Sequence, residues 1–569
     1  MRALDWIVVA VYMTATLWLG IVLARRGSKS LAEYFVGGRA IPWWLAGASM
    51  AATTFNVDTP LYVAGVVARR GIAGNWEWWA FAFTHVFMAV VLARLWRRAE
   101  VMTDVELIEL RYHGRPAALL RGTRAFLFGI PLNCIVTGYG MLAMRKVLIA
   151  LNVTDIVPLP GDPQLWAVAI IVVLTLVYAA ASGLWGVVTT DFLQLVLALA
   201  GALIVAAYAL GEVGGLGAMR EALVDRGRAD ALRIMPRPGD ALWGTFLAYI
   251  FLQWWSYRLA DGGGMFVQRL SAVKNEREAE KAAAFFNIIN YVVRTWPWIV
   301  VALAALVVLP PQDDPELAYP LMMLRYLPAG VLGLVFASLL AAFMSTVSTQ
   351  VNWGASYAVR DLYQRFFRPA AADSQLVVVS RVATVLITAV AALASFVSND
   401  VGTVFRFLIL VGNGTGAVLL LRWFWWRVNA WAEWTALVAG TALAIACVVV
   451  PDLAALGFGT KLAITAFGGM ALWIPVMLLT PPEQPEVLDA FYARARPGGP
   501  GWRAVRERVG LEPPRPLLAD LREALRMLLV ILGAMLGIGG FVTGSAAWVA
   551  GGAGAVVAGW LLRKLPTPA

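Results

Sequence analysis

Ala51-Ala52-Thr53-Thr54-Phe55-Asn56-Val57-Asp58-Thr59-Pro60 lies in the middle of an apolar run otherwise long enough to cross a bilayer. Pro60 has no backbone N–H to donate, and its ring clashes with the carbonyl four residues back. The helix should therefore open near Asn56. Backbone opened at membrane depth survives only where protein or water satisfies it. A later apolar run ends in Asp261-Gly262-Gly263-Gly264, and three glycines hold a helix poorly. The two interruptions lie five spans apart. Paired breaks in corresponding positions of two halves are the sequence sign of inverted repeats with a binding site between them.

The composition agrees with a membrane solvent. Of 569 residues, 60% are hydrophobic and 14% charged, against about 25% charged in a soluble domain. Apolar runs recur end to end, at 3–24, 41–68, 74–98, 121–150, 164–183, 185–210, 241–262, 284–310, 329–358, 376–398, 400–425, 432–451, 460–480, 523–542 and 544–562. This predicts an all-α polytopic membrane protein of about 15 transmembrane helices. The net charge of +11 sits in short loops, among them Arg25, Arg26 and Lys29, Arg94 to Arg124, Lys274 to Lys281, Arg360 to Arg368, and Arg563 with Lys564. That is the positive-inside pattern rather than a nucleic-acid surface. It sets the N-terminus outside and the C-terminus in the cytoplasm, with Arg69 and Arg70 as exceptions. The 25 Trp suit interfacial belts. Cys134 and Cys447 lie inside apolar runs, so no disulfide framework is implied. Two histidines are too few for a His-based metal site, and no nucleophile–base pair or phosphate loop suggests an enzyme.

Residues 341–352, Ala-Ala-Phe-Met-Ser-Thr-Val-Ser-Thr-Gln-Val-Asn, place Ser345, Thr346, Ser348, Thr349 and Asn352 on overlapping helical faces. Clustered neutral oxygens can replace the hydration shell of a small hard cation. The alternative is a small-residue interface whose hydroxyls bond back to their own carbonyls.

Six stretches in order resemble one family. They are Tyr34-Phe35-Val36-Gly37-Gly38-Arg39 with Ile41-Pro42-Trp43-Trp44; Thr103-Asp104-Val105-Glu106-Leu107 with Arg111-Tyr112; Gly183-Leu184-Trp185-Gly186 through Asp191 to Gln194; Gln268-Arg269-Leu270 with Lys274 to Glu278; residues 328–363; and Gly412-Asn413-Gly414-Thr415-Gly416 with Arg422 to Arg427. The chain resembles the sodium/solute symporters, the group that includes proline, glucose and sialic acid carriers. The resemblance implies a five-plus-five inverted-repeat core with extra terminal spans. It implies Na+ as coupling ion, held by the carbonyls of Ala52, Phe55 and Ala342 and the hydroxyls of Ser345 and Thr346. It also marks Asp191 for a possible second ion, although Ala342 stands where other members have a third hydroxyl.

An aspartate inside a span costs about 2.5–3.5 kcal/mol and should have a reason. Asp58 reads either as a counter-charge for a solute ammonium or as a cap on the restarted helix. Asp261 and Arg258 read as a pair, Arg294 and Arg406 as snorkelling side chains, and Glu77 as interfacial. Asn56, Asp58, Trp76, Trp254, Asp261 and Asn413 are the candidate solute contacts, since aromatic faces bind sugar rings and cationic amines alike.

The expected organisation is an extra span and loop (1–40), a transport core (41–430, with repeats 41–210 and 241–430), extra spans (431–480), a mobile cytoplasmic linker (481–522) and C-terminal spans (523–569). The expected function is sodium-coupled symport of a small organic solute, a zwitterion such as proline, across a bacterial-type inner membrane. The alternatives are a proton-coupled carrier titrating Asp58 or Asp191, and a sodium-coupled sugar or organic-anion carrier. Nothing in the sequence sets an oligomeric state.

Overall fold

A computed structural model describes residues 1–24, 37–101, 103–153, 161–179 and 184–563. Arg25, Arg26, Lys29, Lys564, Gly183 and the Tyr34-Phe35-Val36 part of the first family-like stretch lie outside the described residues. Helix α1 (Ala3–Ala24) precedes an interrupted pair, α2 (Trp43–Thr53) and α3 (Asp58–Arg70). Then come α4 (Ile72–Ala99), α5 (Gly114–Ala150), α6 (Pro163–Ala179) and α7 (Leu184–Glu212). The second five open on another interrupted pair, α8 (243–256) and α9 (Met265–Ala272). They continue with α10 (Glu276–Val308), α11 (Val331–Phe367), α12 (Asp373–Ala394), and α13 (Val401–Gly412) with α14 (Gly416–Phe424). The chain closes with α15 (Ala430–Val449), α16 (Phe458–Leu479), α17 (Pro485–Ala495), α18 (Arg503–Val509), α19 (Leu517–Thr543) and α20 (Ala546–Leu562). Nine helices among the described residues are long and apolar enough to cross a membrane, and four shorter apolar helices accompany them. The total of about fifteen spans rests on the sequence.

Local chemistry sets several of these boundaries. Asn275 accepts the Glu278 N–H at 3.0 Å to start α10, and Asn429 accepts that of Ala432 at 3.0 Å to start α15. Pro60 sits in the first turn of α3, where its missing donor costs nothing. The preceding break spans Thr54 to Val57, as the sequence predicts. In the core, α7 packs on α2, α10 and α11, and α10 packs on α2. Helix α1 lies against α7 and α11. Asp5 of α1 accepts the Gly330 and Gly333 N–H groups at 2.7 and 2.9 Å, capping the start of α11. A Cβ on Gly333 would fall 2.5 Å from the Asp5 carbonyl oxygen, so this approach requires glycine.

Two expectations change. The second break opens at Tyr257 (φ −78°, ψ 146°), four residues before Asp261, and helix resumes at Met265. The seventh span therefore runs past its expected end at 262. Tyr257 leaves the helix to bridge with Asn413, and the Ser256 hydroxyl donates to the Asn413 side chain. Gly262 then turns the chain at φ +73°, where a Cβ would meet the Met88 side chain at 2.6 Å.

The second change concerns 481–522, which is folded rather than a mobile linker. Helices α17 and α18 bring Phe491 and Trp502 over Arg111, whose Cζ lies 5.3 and 4.9 Å from their rings. The Trp502 indole N–H donates to the Trp423 carbonyl at 2.8 Å, and Arg98 donates to the Ala495 carbonyl at 2.6 Å. Buried aromatic surface and a desolvated cation hold the segment against the arginine-rich end of the bundle. Trp502→Ala should remove about 3–5 kcal/mol of that packing. Trypsin should then cut at Arg503, Arg506 and Arg508 well before the rest of the chain. Unaltered digestion of the variant would contradict the docking.

Candidate ion and solute site

The break between α2 and α3 faces α11. Thr346 presents its hydroxyl to the Thr53 carbonyl at 3.3 Å and the Phe55 carbonyl at 3.4 Å. A hard cation binds oxygens at about 2.3–2.6 Å, so two of its ligands at right angles sit roughly 3.3–3.7 Å apart. Sodium is of calcium's size, and both distances from the Thr346 hydroxyl to the carbonyls fall in that range. Phe55 and Thr346 are thus brought together. The Thr53 carbonyl, rather than that of Ala52, faces the hydroxyl; the Ala52 carbonyl accepts the Phe55 N–H at 3.0 Å. Ala342 is buried one helical turn before Thr346 on α11.

Ser345 turns to Asp191 of α7 and donates to Oδ1 at 2.5 Å. Asp191 Oδ2 accepts the Ser49 hydroxyl at 2.5 Å and lies 3.7 Å from the Arg269 guanidinium of α9. Arg269 also donates to the Ser49 hydroxyl at 3.2 Å and to Thr53 Oγ1 at 3.4 Å. One buried carboxylate and one buried guanidinium therefore tie α2, α7, α9 and α11 together. A hydroxyl that donates to a carboxylate keeps its lone pairs, so Ser345 can still offer oxygen to an ion. In the sequence Arg269 stands out only as part of a family-like stretch, and this role is not apparent there. The signal was Asp191 itself, a carboxylate in a span that needs a counter-charge.

The candidate solute contacts separate into two groups. Asn56 and Asp58 line the break. The Asn56 side chain accepts the Val57 N–H at 2.8 Å. Asp58 is buried beside the Tyr139 hydroxyl, and its Oδ1 has no hydrogen-bond partner. The other four lie elsewhere. Trp76 donates to the Ile234 carbonyl at 2.9 Å and packs edge-on to Trp79 and Phe246. The Trp254 carbonyl accepts the Thr84 hydroxyl at 2.7 Å. Asn413 donates to the Leu462 carbonyl at 2.8 Å and to Thr465 at 2.6 Å, fastening the α13–α14 break to α16.

Asp261 does not pair with Arg258. Its carboxylate binds Arg422 at 2.5 Å and the Gly263 N–H at 3.1 Å, while Arg258 lies over the Phe128 ring. Arg422 continues to Glu433 at 3.0 Å, Glu433 to Arg124 at 2.9 Å, and Arg124 to Asp104 at 2.9 Å. This ladder closes the arginine-rich end. Glu77 and Arg406 also differ from expectation. Glu77 is fully buried and binds Arg70 at 2.5 Å and Arg406 at 2.8 Å, so Arg406 is held by a carboxylate rather than by the lipid interface. At the same end Glu316 accepts from Lys146 and from the Val401 and Gly402 N–H groups.

The fold and this paired-break geometry define a multi-pass helical membrane carrier. Residues 34–440 match the family model described as the sodium:solute symporter family, and the chain belongs to that family. A sodium/glucose cotransporter of Vibrio parahaemolyticus is 26% identical over 465 residues, covering 75% of this chain and 82% of that one. The human sodium/myo-inositol cotransporter 2 is 24% identical over 489 residues, covering 78% of this chain and 69% of that one. A substrate-bound, outward-open Na+-coupled sialic acid symporter shares the fold, with a TM-score of 0.68 and 20% identity, covering 85% of this chain and 99% of that one. The fold of this chain is accordingly that of the inverted-repeat symporters.

Removing one partner of a buried ion pair strands the other, at a cost of about 3–5 kcal/mol. Asp191→Asn or Arg269→Gln alone should lower the thermal midpoint in detergent. The double variant should recover more than half of the combined loss. Simple additivity of the two single losses would mean that the groups do not act as a pair.

Proposed function

We propose that this symporter binds one sodium ion between the α2–α3 break and α11, and that the ion ties the two together to complete an adjacent solute pocket. The observation that carries the reading is the Thr346 hydroxyl facing the Thr53 and Phe55 carbonyls. In this reading Thr346, Ser345 and the carbonyls of the break, with that of Ala342, are the ion's ligands; Ala52 contributes through the turn it closes. Arg269 already supplies Asp191 with a positive charge, which favours a single sodium over a second ion at Asp191. Asn56 and Asp58 face the solute, whereas Trp76, Trp254, Asp261 and Asn413 hold the walls. The solute is small and organic, and Asp58 suits the ammonium of a zwitterion such as proline. The charge pattern of the loops supports an N-terminus outside and a C-terminus in the cytoplasm, in a bacterial-type inner membrane.

Sodium and solute then bind with positive coupling, because each favours the same arrangement of the break. Alternating access requires the ion pairs at one end to part while those at the other hold. One sodium supplies about 2.3 kcal/mol per 100 mV and about 1.4 kcal/mol per tenfold gradient, sufficient for a few-hundred-fold accumulation.

Solute uptake into proteoliposomes tests the site. Thr346→Ala and Ser345→Ala should each raise the half-saturating sodium concentration about tenfold or more. Choline in place of sodium at fixed pH should abolish accumulation. Sodium dependence unchanged in both variants would defeat the assignment, and uptake persisting in choline would favour proton coupling.

A further inference from the structure

Arg294 lies inside α10 at 4% exposure, far from any snorkelling position. A π-helical turn, Ile288–Val293, immediately precedes it, and the Arg294 N–H reaches back five residues to the Ile289 carbonyl at 3.1 Å. Such turns rotate the following side chain out of regular register and recur at functional sites. Here the rotation sends the guanidinium to the α2–α3 break. One terminal nitrogen donates to the Ala51 carbonyl and to the Thr54 hydroxyl, both at 3.3 Å. The Phe55 and Trp298 rings lie 5.8 and 5.7 Å from its Cζ. Its Nε has no hydrogen-bond partner, and it forms no ion pair with any described carboxylate.

Capping the C-terminal end of α2 accounts for one nitrogen of the fork and offsets part of the charge. Lysine could do as much. An arginine fork with a free edge fits a planar anion held by two parallel N–H groups. Across the same break Asp58 carries an unpartnered Oδ1, yet Asp58 and Arg294 do not pair with each other. Two buried groups of opposite charge beside an open backbone segment, each with an orphaned atom, are the groups that a ligand entering the break would satisfy.

We infer that Arg294 binds a carboxylate of the transported solute. The inference rests on the symport reading above and narrows the solute to small carboxylate-bearing molecules. If the solute is a zwitterion, its ammonium faces Asp58; if it is a simple carboxylate, Asp58 faces no solute charge.

Purified protein in sodium buffer, screened by thermal shift with the twenty amino acids, C2–C6 monocarboxylates, glucose, myo-inositol and choline, tests it. At least one carboxylate should raise the midpoint, and the neutral and cationic probes should not. Wild-type protein should prefer that acid over its amide by about 10- to 150-fold, the range for a hydrogen bond to a charged group. Arg294→Gln should lose the same preference, Arg294→Lys should keep part of it, and radioactive sodium binding should persist in both. Persistence of sodium binding separates failure of this inference from failure of the symport reading. Stabilisation by an amino acid but not by any monocarboxylate, lost in Asp58→Asn, identifies the zwitterion arm; the reverse pattern identifies the simple carboxylate. A neutral or cationic probe as the ligand, a panel in which no carboxylate shifts the midpoint, or equal affinity of wild-type protein for acid and amide overturns the inference. The acid–amide comparison holds even if Arg294→Gln does not fold.

Discussion

Backbone that leaves its helix at membrane depth has to find partners, because hydrocarbon offers none. In this chain the carbonyls freed between α2 and α3 meet the Thr346 hydroxyl of α11. Much else in the fold serves that meeting. Thr53, whose carbonyl takes part, is fixed through its hydroxyl by the Ser49 carbonyl and by Arg269. Arg269 is held by Asp191, and Asp191 by Ser345, the neighbour of Thr346. The far end of α11 is capped by Asp5 of the extra helix α1. The result is a set of oxygens whose spacing is fixed by elements far apart in sequence.

The helical class, the family resemblance and the first break were legible because each rests on local chemistry: apolar length, a proline in a first turn, hydroxyls at helical spacing. What depended on long-range pairing was not. Asp261 was read with Arg258, three residues away, whereas it belongs to Arg422, on the other interrupted helix of the second repeat. Arg406 and Glu77 looked like interface residues singly and are a buried pair together. The second break was placed at its glycines, but a contact between Tyr257 and Asn413 opens the helix earlier. The Pro/Gly/Arg-rich composition of 481–522 suggested a linker; Phe491 and Trp502 find a cation that no local pattern announces.

Arg294 shows the same limit on a finer scale. A basic residue within an apolar run ordinarily reaches for the interface. A single wide turn just before it reverses that direction. The spacing of apolar residues around it carries no mark of the change, since side-chain direction in a helix follows the backbone register.

The buried charges around the break sum to zero: Asp191 with Arg269 at one side, Asp58 and Arg294 at the other. An empty carrier that rocks with these four groups aboard moves no charge through the bilayer on their account. The membrane potential would then act only on what the carrier is loaded with. One sodium beside a zwitterion makes the inward stroke a current, whereas one sodium beside a lone carboxylate cancels it. The electrical character of the cycle would then be set by the cargo, with the protein itself contributing silence.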